Sequence, residues 1–409
     1  MNEWRKIQIK ELCSDIIDCV NKTAPISNTP TKYRMLRTSD IRDGFINLEN
    51  LNCVTEETYN KWTRRGFLQK GDIILTREAP LGEVGLVRYA ENFFLGQRLV
   101  LLRANPSVCD NRFLLYALQF HDNKQAIIAK GVGATVLHLR VPECEKIEIR
   151  VPDLQTQRKI GNILFAYDNL IENNQKQIKL LEEAAQRLYK EWFVDLRFPG
   201  YETTPVVNGV PEGWESTTLE NICALNKQVL AQTDIPPNIP YIGLEHMPRK
   251  DICLCEWGTS SEVLSSKFLY QEKDIIFGKI RPYFHKVGFA LNSGIASTDS
   301  IIMRANEGVW GLLLMTVSSV AFVDYVSKTC KEGSKMPRAD WNQMKAYPIL
   351  IPDEGTREKF EVNIGLITDR IKALALQNRG LAEARDRLLP KLMSGEIEVK
   401  SQRHKGVIP

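Results

Sequence analysis

The chain has 409 residues, of which 43% are hydrophobic, 25% charged and 8% aromatic. These are ordinary globular proportions, which exclude wholesale disorder and fibrous architectures, and the length suggests two to three domains. Net charge is only +4, from 54 Lys and Arg against 50 Asp and Glu. By segment, residues 1–150 carry 22 basic and 18 acidic side chains, 151–200 carry 7 and 7, 201–350 carry 14 and 16, and 351–409 carry 11 and 9. No stretch is a polybasic arm, so binding dominated by phosphates alone is not expected.

The start, Met1-Asn2-Glu3-Trp4-Arg5-Lys6, lacks the apolar core of a signal peptide. Short β-like runs follow at 72–76, 85–89 and 98–103, punctuated by Pro80 and Gly82, then a helical run at 112–121. A Pro152-Asp153 punctuation opens a long helical segment at about 155–193. After a linker rich in Pro and Gly at 199–213, the order repeats. Strand-like runs lie at 274–277, 287–291 and 299–304, a helical run at 310–325, and a second long helix at about 356–393 after Pro352-Asp353. The run 310–323 is too short to span a bilayer and reads as a buried helix. Nine cysteines without zinc spacing, the closest pair being Cys253-Leu254-Cys255, read as the reduced thiols of a cytoplasmic protein.

The repetition is visible residue by residue. Lys70-Gly71-Asp72-Ile73-Ile74-Leu75 recurs as Glu272-Lys273-Asp274-Ile275-Ile276-Phe277. Val100-Leu101-Leu102-Arg103-Ala104-Asn105 recurs as Ile301-Ile302-Met303-Arg304-Ala305-Asn306. Val151-Pro152-Asp153 recurs as Ile351-Pro352-Asp353, Leu181-Glu182-Glu183-Ala184 as Leu381-Ala382-Glu383-Ala384, and Trp4 as Trp214. Five matches in one order, about 200 residues apart, indicate a duplicated unit rather than a solenoid. The expected fold class is α+β: two mixed α/β domains joined by two long helices forming an antiparallel coiled coil, with a pseudo-two-fold internal repeat.

The helices carry the register. Ile160, Leu164, Tyr167, Ile171, Asn174, Ile178, Leu181, Ala185, Leu188 and Trp192 follow strict 4-3 spacing. So do Phe360, Ile364, Ile367, Ile371, Leu374, Asn378, Leu381, Arg385, Leu388 and Leu392. A sustained 3.5 period predicts a coiled-coil seam. Antiparallel pairing about the seam midpoints sets Asn174 opposite Asn378, whereas a parallel pairing would leave each amide facing an aliphatic side chain, at a cost of roughly 1–3 kcal/mol. The same register sets Arg385 over Tyr167, a candidate cation–π contact.

No Walker A, dinucleotide fingerprint or amino-methyltransferase motif is present, and the five histidines form no ligand pair at helical spacing. Asp110 with Asp122-Asn123-Lys124 only faintly imitates a nuclease metal site. The chain reads as non-catalytic, with no metal and no cofactor of its own.

The run Val151-Pro152-Asp153-Leu154-Gln155-Thr156-Gln157-Arg158-Lys159-Ile160, the run Tyr189-Lys190-Glu191-Trp192-Phe193-Val194-Asp195 and the run Leu388-Leu389-Pro390-Lys391-Leu392-Met393-Ser394-Gly395-Glu396-Ile397 together resemble the specificity (S) subunit of type I restriction–modification systems. The resemblance covers nearly the whole chain. It implies target-recognition domains at 1–150 and 214–350, spacer helices at 151–198 and 351–398, a linker at 199–213 and a tail at 399–409. It further implies that each recognition domain reads one half of a bipartite, asymmetric site on double-stranded DNA. The partners implied are two methyltransferase (M) subunits and two restriction (R) subunits, with S-adenosylmethionine, ATP and Mg expected on those partners and no membrane. A stand-alone DNA-binding protein or a coiled-coil adaptor is the alternative.

Base readout favours Arg and Lys to guanine and Asn and Gln to adenine. The candidate DNA contacts in the first copy are Lys61, Arg64, Arg65, Thr76, Arg77, Gln97 and Arg98. In the second they are Lys279, Arg281, His285, Lys286, Ser297 and Thr298. Lys335 and Arg338, after Gly333, are candidates for phosphate.

Overall fold

The computed structural model describes residues 4–89, 92–330 and 335–399. Gly333 lies outside them. Contacts divide the chain into two units, Met1–Leu170 with Leu381–Pro409, and Ile171–Gly380. The division differs from the contiguous boundaries read from the sequence because the contacts assign part of each long helix to each unit.

In the first unit a four-stranded antiparallel sheet runs in the order Cys13–Asp18, Leu99–Ala104, Ile73–Arg77, Leu81–Leu86. Side chains alternate across a strand. Ile73, Leu75, Val100 and Leu102 face a core with Phe113, Ile149, Ile160 and Leu164. Ile74, Leu99 and Leu101 face a second core with Leu36 and Leu95, which belong to a small sheet in which Arg34–Leu36 and Phe93–Leu95 pair in parallel. The central strands are therefore covered on both sides, which explains their unbroken apolar runs. Arg5–Gln8 pairs with Glu148–Val151.

The second unit repeats these relations with more strands. The order Cys223–Asn226, Ser300–Ala305, Ile275–Gly278, Val287–Ala290, Cys253–Leu254 makes one five-stranded sheet. Ile275, Phe277, Ile301 and Met303 face one core. Ile276 and Ile302 face another, with Ile242, Tyr270 and Ala296. One ion pair, with a buried carboxylate, is built alike in both units. Asp72 binds Arg103 at 2.8 Å and accepts from the Gln69 amide, and Asp274 binds Arg304 at 2.7 Å and accepts from the Gln271 amide.

The run 310–325 is two helices rather than one, Trp310–Val317 and Val320–Lys328, bent by 58°. Ser318 turns its hydroxyl back onto the Leu314 carbonyl at 2.7 Å, and Ser319 caps the next helix through the Phe322 amide at 3.1 Å. Serines that compete with the backbone in this way end helices. No single helix among the described residues is long and apolar enough to cross a membrane.

The start of this helix is capped differently in the two units. Asp110 caps its own helix, accepting from Arg112 and Phe113 amides at 3.0 and 3.1 Å. At the matching place in the second unit, the carboxylate of Glu361 on the long helix accepts from the Gly311 and Leu312 amides at 2.6 and 2.9 Å. Gly161, the counterpart of Glu361, has no room for a side chain: a Cβ there would lie 2.8 Å from Asp110 Oδ1.

The long helices span Leu154–Tyr189 and Glu354–Met393. The Pro-Asp punctuation is a capping device, with Asp153 accepting from the Thr156 amide and Asp353 from the Thr356 amide. Beyond Tyr189 the first helix widens to one π turn, closed by the Asp195 amide on the Lys190 carbonyl at 2.8 Å. Within the second unit the two helices run in opposite senses: Asn174 Nδ2 donates to Asn378 Oδ1 at 2.9 Å, and eighteen residues further on in one and back in the other Trp192 meets Phe360 at 5.7 Å. Within the first unit Ile160 and Leu164 share a core with Leu392, and Arg385 binds Asp168 at 2.6 Å. Arg385 thus takes the carboxylate next to Tyr167 instead of the ring, because Asp168 is buried and already holds the Tyr116 hydroxyl at 2.5 Å.

Two consequences can be measured. Asn174→Leu leaves the Asn378 side-chain oxygen without its donor and should destabilise the chain by about 1–3 kcal/mol in chemical denaturation, with Asn174→Leu/Asn378→Leu recovering much of the loss. Buried Glu182 accepts from the Ile252 and Cys253 amides at 2.9 and 3.0 Å. Burial, then nearby Asp251, pushes its carboxyl up to about 7. A raised carboxyl binds a proton more tightly in the folded chain, so this stabilisation is full below its ordinary value of 4.5 and is lost as pH rises through about 7. The denaturation midpoint should fall between about pH 5 and pH 8, and Glu182→Gln should flatten that slope.

Candidate nucleic-acid interface

Covering both faces of each sheet leaves its strand ends open. In the first unit Cys13–Asp18 and Ile73–Arg77 end, and Leu99–Ala104 begins, at the same edge. Here the structure gathers most of the residues expected from sequence. Arg65 reaches the Cys19 carbonyl at 2.7 Å and Asp18 at 3.5 Å. Gln97 accepts from Thr23 at 2.9 Å. Arg98 is half exposed and pairs with Glu78 at 3.2 Å, which also faces His138 at 3.3 Å. Arg98 sits at φ 68°, fixed by its carbonyl accepting from the Arg77 amide at 2.8 Å. Lys61 and Arg64 are exposed at the end of helix Glu56–Trp62, whose Trp62 indole donates to the Lys22 carbonyl. Such exposed ion pairs are worth at most about 1 kcal/mol each, so they exchange readily for a phosphate or a base.

Thr76 and Arg77 do not join the exposed set. Both remain inside the doubly covered strand, and the buried guanidinium of Arg77 binds Asp18 at 2.9 Å. They brace the edge from beneath.

In the second unit the same edge holds Lys279, Ser297, Thr298 and Arg338. Lys279 Nζ donates to the Thr298 carbonyl and Arg338 binds Asp299, both at 2.8 Å. Thr298 is exposed, while Ser297 turns its hydroxyl to the Asp299 amide. A cleft of about 680 Å³ opens here, lined by Asn226, Lys227, Phe268, Lys279, Arg338 and Trp341. Partial burial lowers the Lys279 ammonium below its ordinary value, against the pull of Asp299 and with Arg338 and Lys227 adding to the fall. Lys335 is exposed nearby in the chain.

Arg281, His285 and Lys286 belong to a neighbouring turn, Pro282–Phe284. His285 is buried with Nε2 2.8 Å from the Ser318 carbonyl, and burial keeps the ring below its ordinary value, so it is a neutral brace rather than a contact. Lys286 donates to the Leu244 carbonyl. Arg281 stays exposed.

Sequence reasoning missed Arg249, whose guanidinium lies 4.1 Å over the Phe284 ring, and Lys227 in the cleft. The signal for Arg249 was the Met247-Pro248-Arg249-Lys250 run in a segment otherwise poor in cations. Among the described residues no group of three His, Cys, Asp or Glu could hold a metal. Asp110 spends its carboxylate on helix capping and Lys124 binds Glu83 at 2.7 Å.

Residues 1–183 match the type I restriction modification DNA specificity domain. The MjaIX specificity subunit of a type I restriction enzyme from Methanocaldococcus jannaschii is 26% identical over 85% of this chain and 82% of its own length. The chain is thus similar to type I restriction-enzyme specificity subunits. The HindI specificity subunit of Haemophilus influenzae is 20% identical over 81% of this chain and 87% of its own. A crystal structure of a type I restriction-modification S subunit from M. genitalium shares the fold, with a TM-score of 0.58 at 18% identity over 96% of each chain. These matches concern a DNA-specificity module, which is the chemistry that the two cationic strand-end clusters can perform. On that footing Arg64→Ala and Lys335→Ala, measured in the complex with a co-expressed methyltransferase, should each weaken binding evenly across DNA sequences. Each should also lower the slope of log affinity against log salt by about one, while Arg98→Ala should relax preference at one base position.

Proposed function

We propose that this chain is the sequence-specific DNA-recognition subunit of a type I restriction–modification complex. Each unit reads one half of a bipartite, asymmetric site on double-stranded DNA through its strand-end loops. The long helices act as an antiparallel coiled-coil spacer that fixes the gap between half-sites and scaffolds two methyltransferase and two restriction subunits. At ~1.5 Å per residue, helices of 36 and 40 residues measure roughly 54 and 60 Å, longer than the ~34–36 Å between half-sites one turn apart. The chain itself is non-catalytic in this reading. S-adenosylmethionine, ATP and Mg are bound by the partners, and the complex works in the cytoplasm.

The observation that carries the reading is that both units build the same strand-end edge on a central sheet tied at its other end by the same Asp–Arg pair, and then furnish it with different side chains: Arg64, Gln97 and Arg98 in one, Lys279, Thr298 and Arg338 in the other. Equivalent scaffolds with unlike edges suit two unlike half-sites. A net charge of only +4 accords with base contacts made by a subunit that borrows part of its grip from partners.

Co-expression with the methyltransferase encoded beside it, followed by methylome sequencing, should reveal methylated adenine in a split, non-palindromic motif with a fixed gap. A continuous or palindromic motif refutes the bipartite reading. No methylation and no gel shift would leave the coiled-coil adaptor as the better description.

A further inference from the structure

The turn Pro282–Phe284 in the second unit is built to hold an aromatic side chain rigidly in solvent. Its two flanking residues, Arg281 and His285, both lie in the left-handed region, at φ 50° and 54°. Non-glycine residues hold that conformation only when their surroundings fix it. Here they do. The Arg281 amide donates to the Pro337 carbonyl, the Phe284 amide to the Arg281 carbonyl, the His285 amide to the Pro282 carbonyl and the Lys250 amide to the His285 carbonyl, all at 2.8–2.9 Å. Pro282 and His285 are buried, and the His285 ring is tied to the Ser318 carbonyl. Between these anchors Tyr283 stands 55% exposed, with its ring edge-on to Phe284 at 5.0 Å and 74°. Phe284 in turn lies under two guanidiniums, Arg249 at 4.1 Å and Arg281 at 5.7 Å.

A large aromatic held outward on a strained, fully hydrogen-bonded turn among cations has no folding role that needs its exposure. Its apolar ring and its cationic surround match a nucleic acid, whose bases offer π faces and whose backbone is anionic. The geometry points to Tyr283 as a wedge that inserts at one base step of the second half-site, with Arg249 and Arg281 on the adjoining backbone. This rests on the DNA-reading proposal above and adds to it a position of readout by deformation. Pyrimidine–purine steps unstack most easily, so the wedge favours such a step without a hydrogen bond to it. The first unit has no aromatic at this turn, since the matching residues are Pro80-Leu81-Gly82.

The test uses the complex with the co-expressed methyltransferase and duplexes carrying the site found by methylome mapping, with 2-aminopurine placed in turn at each position other than the methylated adenine. Expected is a fluorescence rise at one step of the second half-site. Tyr283→Phe should keep it, whereas Tyr283→Ala should remove it and weaken cognate binding about tenfold or more. Thermal unfolding of Tyr283→Ala should match that of the unsubstituted chain, since the side chain is exposed. If no position responds, or the rise survives Tyr283→Ala, the wedge is wrong while the DNA-reading proposal stands. If the unsubstituted complex binds no site specifically, that proposal has failed instead.

Discussion

The constraint on which the rest of the structure depends is the burial of both faces of the central sheets. In each unit, odd and even positions of the same strands enter different cores: Ile73 and Ile74 part company, as do Ile275 and Ile276. A sheet so covered can present nothing from its faces, and its variable chemistry is confined to where strands end and loops begin. The pairs Asp72–Arg103 and Asp274–Arg304, each on a buried carboxylate, fix that geometry at the other end of the same strands. Removing either arginine leaves a buried carboxylate without its cation.

The long helices use polar groups for a different purpose. An amide pair in one unit and a carboxylate–guanidinium–phenol group in the other, Asp168 with Arg385 and Tyr116, interrupt otherwise largely apolar seams. Each is satisfied only at one register. An all-leucine seam would tolerate a shift by a heptad, whereas these groups would lose their partners.

Much of this could be read from the sequence. Five of the six strands expected from sequence lie within one or two residues of those observed, because apolar runs bounded by Gly and Pro have few other solutions; the strand expected at 85–89 runs over Leu81–Leu86, and shorter strands such as Arg34–Leu36 and Cys253–Leu254 carry no such run. The meeting of Asn174 and Asn378 followed from heptad arithmetic alone. Reading was weaker wherever a residue's role depended on depth. Thr76, Arg77 and His285 look like surface polar residues in one dimension, and only the second layer of packing over their strands makes them internal. The break at Ser318 and Ser319 was hidden by the apolar residues around it. Arg249 was missed because its significance lies in Phe284, some 35 residues away in sequence and 4.1 Å away in space.

The two ways of capping the helix that follows the central sheet have a bearing on modularity. The first domain brings its own carboxylate, Asp110, and the long helix offers a glycine, Gly161, that stays out of its way. The second domain brings none, and the long helix supplies Glu361. Each domain and the helix after it are therefore matched across their boundary. A foreign domain grafted in place of the second must leave its helix start open to Glu361, or two carboxylates will contend for the same amides. One grafted in place of the first must carry its own cap, because Gly161 has nothing to lend.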